Sequence, residues 1–446
     1  MSLRPHYASY SGAMDQVPQL EPRSDPPAGG VRILRPLRIR DFALLFWGTA
    51  VSQFGDGVYL VAIAWQVYEL SNAPTALSIV GVAWTLPMVM FLLVGGVMGD
   101  RFDRRRLMIV GDVLRAAAIG VIAVLAFTDA LELWHLVVLV GFYGAGEAIF
   151  APNFQAVIPD VVPQRLIVQA NSLQQLAEPI GYRFAGPAVG GVLVAGFGTG
   201  TAFALDAATF GVSAICIALM RALPMLRSEA PPSVIEDIRE GARFVRRNTW
   251  LWATLCMAAL SLLAFIGPFE VLIPFIVKNQ LGGDAGTLGV VFGAAGVGAV
   301  VASLVLGQRG IGHRHVLTMY VAWGMSTLSL IGFALASAAW QMVVIAFYDG
   351  LCATVGLVIW VTLMHRHVPG ELLGRVSALD WLVSIGLTPV SFALAGPLAE
   401  AIGIDATLIG AGVLASIATF AFLAVPGLRA PERWKAEPEP APAPAR

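Results

Sequence analysis

The chain has 446 residues, of which 57% are hydrophobic and only 13% are charged, and its formal net charge is −1. Ordinary soluble domains carry roughly twice that share of charged residues, so the composition excludes a soluble globular protein and predicts an integral membrane protein. The near-neutral charge argues against a nucleic-acid partner, and the three widely separated cysteines indicate neither a metal site nor a disulfide framework.

The first apolar segment begins near residue 42, after a polar start that we interpret as a cytoplasmic tail over residues 1–40. This segment is too long for the apolar core of a signal peptide, so it predicts an uncleaved membrane span. Further apolar runs of about 20 residues or more follow it. Helices are expected because no run alternates with period two and open strands leave backbone groups unsatisfied in lipid. We predict an all-α protein with twelve transmembrane helices, at residues 41–69, 75–99, 106–127, 134–157, 166–196, 200–221, 250–277, 285–307, 314–336, 340–364, 371–401 and 404–425.

A polar stretch at residues 222–249 divides the spans into two sets of six, at residues 41–221 and 250–425. The second part of this linker predicts an amphipathic helix that lies on the membrane surface. Residues 426–446 end in a proline- and alanine-rich sequence and are predicted to be a disordered cytoplasmic tail. The apolar stripe of the linker helix consists of Val234, Ile238, Ala242 and Val245.

Arginines lie in alternate loops, while the opposite loops are nearly free of basic residues, with Lys278 as the one exception. The positive-inside rule then places both termini in the cytoplasm, so we expect a multi-pass protein of the cell (inner) membrane. The arginines that carry this pattern outside the central linker are Arg32, Arg35, Arg38, Arg40, Arg101, Arg104, Arg105, Arg106, Arg165, Arg309, Arg314, Arg366 and Arg375.

The sequence Ala-Gly-Pro at residues 185–187 of the fifth span recurs at residues 395–397 of the eleventh, which is the fifth span of the second set. Such a repeat predicts two six-helix bundles related by a parallel pseudo-repeat, as in secondary transporters built from two bundles.

The loop after the second span, GGVMGDRFDRRRLMI, carries an acid flanked by arginines and preceded by a glycine. A glycine lets two helices approach closely, and an acid beside arginines at a helix end can form a breakable latch. The alternative is that the arginines only obey the positive-inside rule. In the third span, Asp112 and Arg115 share one helix face and either pair locally or extend the latch. The predicted gating latch comprises Gly96, Asp100, Arg101, Arg104, Arg105, Asp112 and Arg115.

The fifth span contains the pattern Gly-x4-Gly-Pro-x2-Gly-Gly, in the stretch GYRFAGPAVGG. Glycines at these spacings let helices pack closely, and the proline weakens the helix, so the pattern predicts a hinge or a tight seal between bundles. Generic packing glycines are the alternative. The motif residues are Gly181, Gly186, Pro187, Gly190 and Gly191.

Both motifs resemble signatures of the major facilitator superfamily. The loop motif is similar to the signature between spans two and three, although Asp103 replaces the usual second glycine. The fifth-span motif resembles one associated with proton-coupled exporters. Four further stretches resemble the branch that contains macrolide and multidrug exporters and enterobactin-type siderophore exporters, and the resemblance covers about residues 40–426. These stretches are IRDFALLFWGTAVSQFGDGVYLVAIAW, FDRRRLMIVGDVLRA, FAPNFQAVIPDVVP and LLGRVSALDWL.

Three ionisable residues, Asp56, Glu147 and Arg183, lie near mid-membrane in three predicted spans. A lone arginine at this depth is expensive, and either acid could serve as its partner. We expect the cluster to couple proton movement to transport, because a carboxylate in an apolar cavity binds a proton readily and its protonation would release the arginine. A static buried ion pair is the alternative. Glu270 and Asp349 lie in spans seven and ten, which line the cavity in this superfamily, and are expected as secondary substrate contacts.

The sequence therefore predicts a secondary active exporter that carries out proton-coupled antiport of amphipathic small molecules, as in multidrug efflux, by alternating access. Alternatives are a dedicated exporter of a siderophore or of the host's own antibiotic, a non-transporting membrane scaffold or sensor, and uptake by symport. No phosphate-binding loop of the Gly-x4-Gly-Lys-Ser/Thr form and no catalytic or metal-ligand cluster is present, so we expect neither ATP-driven pumping, enzymatic activity nor a cofactor. The expected form is a monomer whose partners are the substrate, protons and the lipid bilayer.

Overall fold

The computed structural model describes residues 32–221 and 234–433. The regular structure in these two ranges is helical, and no β-strand occurs in them. Three predicted features lie largely or partly outside the described residues: the N-terminal tail up to residue 31, the linker over residues 222–233, and the C-terminal tail from residue 434.

Seven α-helices form the first part of the chain, which we call the N-terminal half (residues 32–221). They are α1 (Arg40–Leu70), α2 (Pro74–Arg101), α3 (Arg104–Phe127), α4 (Leu133–Val161), α5 (Ile167–Glu178), α6 (Gly186–Phe197) and α7 (Thr199–Ala218). A π-helical segment, Pro179–Ala185, joins α5 to α6, and 3-10 turns lie at Arg32–Arg38 and Gln164–Leu166.

Nine α-helices form the C-terminal half (residues 234–433). They are α8 (Val234–Arg247), α9 (Thr249–Phe275), α10 (Ala285–Arg309), α11 (His315–Thr327), α12 (Ser329–Leu335), α13 (Ala339–His367), α14 (Gly370–Gly386), α15 (Thr388–Ile402) and α16 (Ile404–Phe422). A second π-helical segment, Ile276–Gln280, extends α9, and a 3-10 turn lies at Ala430–Arg433.

Eleven helical runs in the described ranges are long and apolar enough to cross a membrane. They coincide in position with eleven of the predicted spans, and several runs combine two helices, such as α5 with α6. The helix α1 is 31 residues long but is not among the eleven. Its middle carries Gln53 and Asp56, and these polar residues reduce its hydropathy.

Two helix starts are capped by aspartate side chains. Asp103, which replaces a glycine of the expected loop motif, accepts a hydrogen bond from the Arg105 amide at 2.9 Å and begins α3. Asp284 accepts hydrogen bonds from the Thr287 amide and hydroxyl, both at 2.8 Å, and begins α10. These bonds hold the pKa of Asp284 below its usual value, because they stabilise the carboxylate.

The turns after α6 and α15 have the same backbone conformation. Gly198 has φ of 80° and Gly403 has φ of 92°, a region that is sterically costly for residues with a β-carbon. Each glycine ends one helix and begins the next, so two long helices connect without a loop.

The linker helix α8 packs on the C-terminal half. Glu240 forms an ion pair with Arg375 at the start of α14, and Gly241 lies against the Arg375 side chain. Of the predicted apolar stripe, Val245 is buried in a cluster with Trp250, and Ala242 is half-buried. The Val234 and Ile238 side chains lie outside the described residues. Location of this helix at a membrane surface stays a prediction.

The helix ends gather on two opposite faces of the molecule. We call the face where α1 ends and α2 begins the cap face, and the face where α1 begins the base face. On the base face, Arg104 bonds Asp160 at 3.1 Å, and Arg105 donates to the Ile217 carbonyl at 2.9 Å. Among the described residues, Lys278 is the only lysine or arginine on the cap face.

The two halves of the chain meet mainly at the cap face. The helix α2 packs on α15, and both α6 and the first π-helical segment pack on α10. Hydrogen bonds cross from half to half there: Tyr68 donates to the Val271 carbonyl at 2.7 Å, and Lys278 donates to the Tyr68 carbonyl. The largest buried apolar cluster includes residues of both halves, such as Val61 and Leu272. The two clusters near the base face each belong to one half.

The Asp284 cap predicts a small acid-sensitive contribution to stability. Its carboxylate favours the folded state above the pH at which the unfolded side chain titrates, about 4, and this contribution disappears as the pH falls further through the lowered folded pKa. We expect Asp284→Ala to lower stability at pH 7 by about 1 kcal/mol or less, and the gap to close in acid. Thermal unfolding in detergent at several pH values measures this. An equal deficit at all pH values would contradict it.

Candidate functional site: a charge cluster in the N-terminal half

Four helices of the N-terminal half bring ionisable side chains together in its interior. The helix α3 packs on both α4 and α7, and α1 packs on α7. The cluster contains four acids and one base: Asp56 on α1, Asp112 and Arg115 on α3, Glu147 on α4, and Asp206 on α7. Asp112 and Asp206 are fully buried, Arg115 is 4% exposed, and the two other acids are half-buried.

Arg115 and Asp112 form the tightest ion pair of the cluster, with 2.5 Å between Nη2 and Oδ1. The guanidinium carbon lies 4.5 Å from the centre of the Phe150 ring and 4.3 Å from that of Phe210. Aromatic faces attract a cation, and this partly offsets the desolvation of the buried charge. These two residues were predicted to pair locally or to extend the gating latch. The structure places them as a local pair inside the charge cluster.

A close helix crossing makes room for this pair. Gly146 on α4 lies directly against Gly111 on α3, where a β-carbon at residue 146 would lie 2.9 Å from the Gly111 carbonyl oxygen and from Cγ of Arg115. The neighbouring Glu147 therefore enters the same interior space from α4, within electrostatic range of Arg115.

Asp56 accepts a hydrogen bond from the Tyr143 hydroxyl at 2.7 Å. The Tyr143 ring stacks on Tyr59, one turn along α1, with 5.2 Å between ring centres. The charged groups that act most on Asp56 are Arg115 and then Glu147. Glu147 in turn accepts a hydrogen bond from the Trp84 indole nitrogen at 2.9 Å, which connects the cluster to α2.

Arg183 does not join this cluster, which corrects the expected arrangement. In the described ranges it forms neither a hydrogen bond nor an ion pair with Asp56 or Glu147. The reason is the orientation of the π-helical segment: Gly181 faces α1, and Arg183, two residues later, lies on the opposite side and is exposed. Instead, its charge acts on Glu270 and Asp349 of the C-terminal half. The sequence predicted Arg183 as the cation of this cluster, whereas the cation in the structure is Arg115.

The two acids of the C-terminal half differ in their surroundings. Asp349 on α13 is 6% exposed and accepts hydrogen bonds from the Ser326 hydroxyl at 2.6 Å and the Ser329 hydroxyl at 3.1 Å. Glu270 on α9 is half-buried and has no hydrogen-bond partner in the part of the chain that the structure describes. Glu270 is therefore the freer of the two to contact a bound molecule near Arg183.

The glycines of the fifth-span motif are divided between two contacts. Gly186 lies against α1, where a β-carbon would come 2.6 Å from Cα of Gly57, and at Gly190 a β-carbon would come 2.9 Å from Cα of Val58 on the same helix. Gly191 instead lies against α10 of the C-terminal half, where a β-carbon would come 2.9 Å from Cα of Gly289. Since every such distance is below a normal contact, larger residues would separate these helices. Pro187 is buried beside Gly57.

The predicted gating latch is only partly visible. The side chains of Gly96, Asp100 and Arg101 lie outside the described residues. Arg104 bonds Asp160 and the Ala156 carbonyl on α4, and Arg105 bonds the Ile217 and Ala218 carbonyls at the end of α7. These four bonds stay within the N-terminal half, where they hold the base-face ends of α3, α4 and α7 together.

Sequence reasoning did not identify two parts of the cluster. Arg115 was predicted to pair locally with Asp112 or to extend the latch, but not to lie among the other acids. Asp206 was not predicted as a site residue. Its proximity to Asp56 depends on the packing of α7 on α1, where Gly55 lies against Asp206, and no local pattern encodes that contact.

Comparisons with known proteins identify the family to which the chain is similar. A family profile described as transmembrane secretion effector matches residues 32–443. The chain is 25% identical over 378 residues to macrolide efflux protein A of Streptococcus pyogenes, covering 84% of this chain and 93% of that protein. It is 29% identical over 405 residues to the multidrug efflux pump Tap of Mycobacterium tuberculosis, covering 86% and 93%. An MFS-type transporter of Bacillus subtilis is 25% identical over 385 residues, covering 82% and 88%.

Two solved structures show the same fold at low sequence identity. A bacterial homologue of the iron transporter ferroportin, in an inward-facing state, has a TM-score of 0.64 at 15% identity and covers 87% of this chain and 99% of that one. A POT family transporter has a TM-score of 0.68 at 12% identity and covers 86% and 95%.

The buried pair predicts a double-mutant result. Arg115→Leu leaves Asp112 buried without its partner and should lower stability by about 3–5 kcal/mol. In the variant Asp112→Leu/Arg115→Leu both charges are absent, so most of the loss should be recovered. Apparent melting temperatures and monodisperse yields in detergent measure both effects. A double variant as unstable as the single one would show that Arg115 mainly balances the other acids.

Proposed function

Since this chain belongs to the transmembrane secretion effector family of MFS-type transporters, we propose that it is a secondary active exporter. In this proposal it exchanges protons for amphipathic small molecules by alternating access. The efflux relatives support the direction of transport and the class of substrate, since macrolides and the compounds expelled by multidrug pumps are small molecules.

One observation carries the proton coupling: four carboxyl groups share the interior of the N-terminal half with a single guanidinium group. If all four were ionised, the cluster would hold an excess of buried negative charge, and burying an unpaired charge is costly. Some of these carboxyls therefore bind protons. Asp56 and Glu147 are the two that remain half-buried, so they are the proposed sites of proton exchange.

The proposed coupling uses charge balance around Arg115. When Asp56 or Glu147 loses its proton, the carboxylate is attracted to Arg115 and retains its neutral donor, Tyr143 or Trp84. When the same group is protonated, that attraction is absent. Because α1, α3 and α4 each carry a member of the cluster, the proton changes the relative stability of two helix arrangements. We propose this change as the driving force of the cycle.

Arg183 is proposed to act on the substrate side of the same cycle. It lies between the halves, with Glu270 and Asp349 as its acidic neighbours across the interface. A cationic amphipathic molecule that approaches Glu270 would compete with Arg183 for the carboxylate. Substrate binding and the contact between the halves would then be linked.

The arrangement of contacts supports alternating access with this conformation closed at the cap face. The apolar cluster shared by both halves and the Gly191–Gly289 contact lie on that side, whereas the base-face clusters stay separate. Arginines are concentrated at the base face, so the positive-inside rule places it in the cytoplasm. With α1 included as the twelfth span, the chain forms two six-helix bundles that are open to the cytoplasm and have both termini there.

Replacement of Asp56 by Asn tests the coupling. The amide is nearly isosteric but does not exchange a proton, so Asp56→Asn should reduce export driven by a pH gradient by at least about tenfold. Insertion and folding should be retained. Proteoliposomes with an imposed pH gradient, supplied with ethidium or erythromycin, measure the flux. The matched control is Asp405→Asn, at an exposed acid on α16. Unchanged gradient-driven flux in Asp56→Asn would exclude Asp56 as a proton carrier.

A cysteine pair tests alternating access. The Asn72 amide donates to Asn279 across the halves at 2.8 Å on the cap face. In a background without the three native cysteines, a short bifunctional thiol reagent should join Asn72→Cys to Asn279→Cys and hold that face closed. Export should stop on crosslinking and return on reduction, whereas each single-cysteine variant should be unaffected. Export that continues in the fully crosslinked protein would contradict the proposed cycle.

A further inference from the structure

Asp206 is the least satisfied member of the charge cluster. It lies on α7, fully buried. The Thr209 hydroxyl donates to the Asp206 backbone carbonyl at 2.7 Å and lies 3.4 Å from Oδ1 of the side chain. Oδ2 has no hydrogen-bond partner among the residues that the structure describes. An ionised carboxylate has two oxygens that require donors, and here the donors are nearly absent.

The helices packed around Asp206 supply little positive charge. From α1 it faces Asp56 and Tyr59, and Gly55 lies against its Oδ1. From α3 the charged groups are Asp112 and Arg115, and these are already bonded to each other at 2.5 Å. The helix α6, which also contacts α7, has no titratable residue.

One assignment of protons agrees with these contacts and leaves no fully buried carboxylate without a partner. Asp112 pairs with Arg115, and Asp56 and Glu147 each keep a neutral hydrogen-bond donor and partial contact with solvent. Asp206 has neither a counter-charge of its own nor solvent, so its ionised form would be an uncompensated buried charge. A proton on Asp206 removes that charge. A metal cation would need further ligands, and the described residues contain no group of three or more that could hold one.

We propose that the Asp206 carboxyl is a proton-binding site, occupied while the cap face is closed and coupled by charge to Asp56. The proton arrives from water through the half-buried Asp56. In that transfer the O–H bond of the Asp56 carboxyl breaks and the O–H bond of Asp206 forms, so the total charge of the cluster is unchanged. Asp206 is then a second proton position behind the half-buried Asp56. Its role in the cycle rests on the proposed antiport, but its occupancy does not.

Infrared difference spectroscopy of the full chain in lipid tests the occupancy directly. The protein is first crosslinked through the Asn72→Cys/Asn279→Cys pair, which fixes the closed cap face. We expect a protonated-carboxyl C=O band at neutral pH that moves on labelling with carbon-13 aspartate. Adding Asp206→Asn should remove an intensity equal to one carboxyl group per protein. Adding Asp405→Asn should leave it in place, since that acid is exposed and lies outside the charge cluster. Full intensity in a folded Asp206→Asn protein would overturn the proposal.

A second variant keeps the test decisive if Asp206→Asn does not fold. Thr209→Val removes the nearest donor to Oδ1 and should shift the same band without reducing its intensity. A band that Thr209→Val does not move would assign the proton elsewhere and overturn the proposal. Neither readout requires transport. Unaltered export in Asp56→Asn would therefore exclude Asp56 as the proton carrier of the antiport while leaving the occupancy of Asp206 intact. A missing Asp206 band would refute that occupancy while leaving the antiport intact.

Discussion

The structure of the N-terminal half depends on keeping one guanidinium group buried among four carboxyl groups. Arg115 is almost inaccessible, and its direct partner Asp112 is fully so. Such a group is tolerated in an apolar interior only when charge, hydrogen bonds and aromatic faces together offset its desolvation. The close crossing of α3 and α4 at Gly111 and Gly146 provides the space. Since four helices contribute to this one balance, a change in the proton content of any acid acts on all of them.

The second constraint is the close approach of the backbone of the fifth span to those of α1 and α10. Gly186 and Gly190 fix this span to α1, which carries Asp56, while Gly191 contacts α10 of the other half at Gly289. One stretch of glycines therefore connects the charge cluster to the interface between the halves. The π-helical segment beside it turns Arg183 away from α1 and toward the C-terminal acids. The same short segment therefore lies between α1, which carries Asp56, and the interface with the C-terminal half.

Much of the fold could be predicted from local sequence patterns. Apolar runs about as long as a bilayer is thick predicted the helices, and the two charged residues three apart in α3 predicted their own pairing, because both signals are carried by near neighbours in the chain. The site was harder to predict from the sequence. Arg183 was assigned to Asp56 or Glu147 on depth alone, but depth does not specify which side of a helix a residue occupies. The side that Arg183 occupies follows from its position two residues after Gly181, which faces α1.

By itself, the sequence determined that the chain is a helical membrane protein, where its spans lie, and that its motifs resemble those of exporters. These properties follow from composition and from short-range periodicity. Only the tertiary structure decided that Arg115 rather than Arg183 is the buried cation of the charge cluster, that Asp206 belongs to the same cluster, and that the halves join at the cap face. Each of these contacts connects residues far apart in the chain, and their geometry follows from how the helices pack rather than from any local sequence signal.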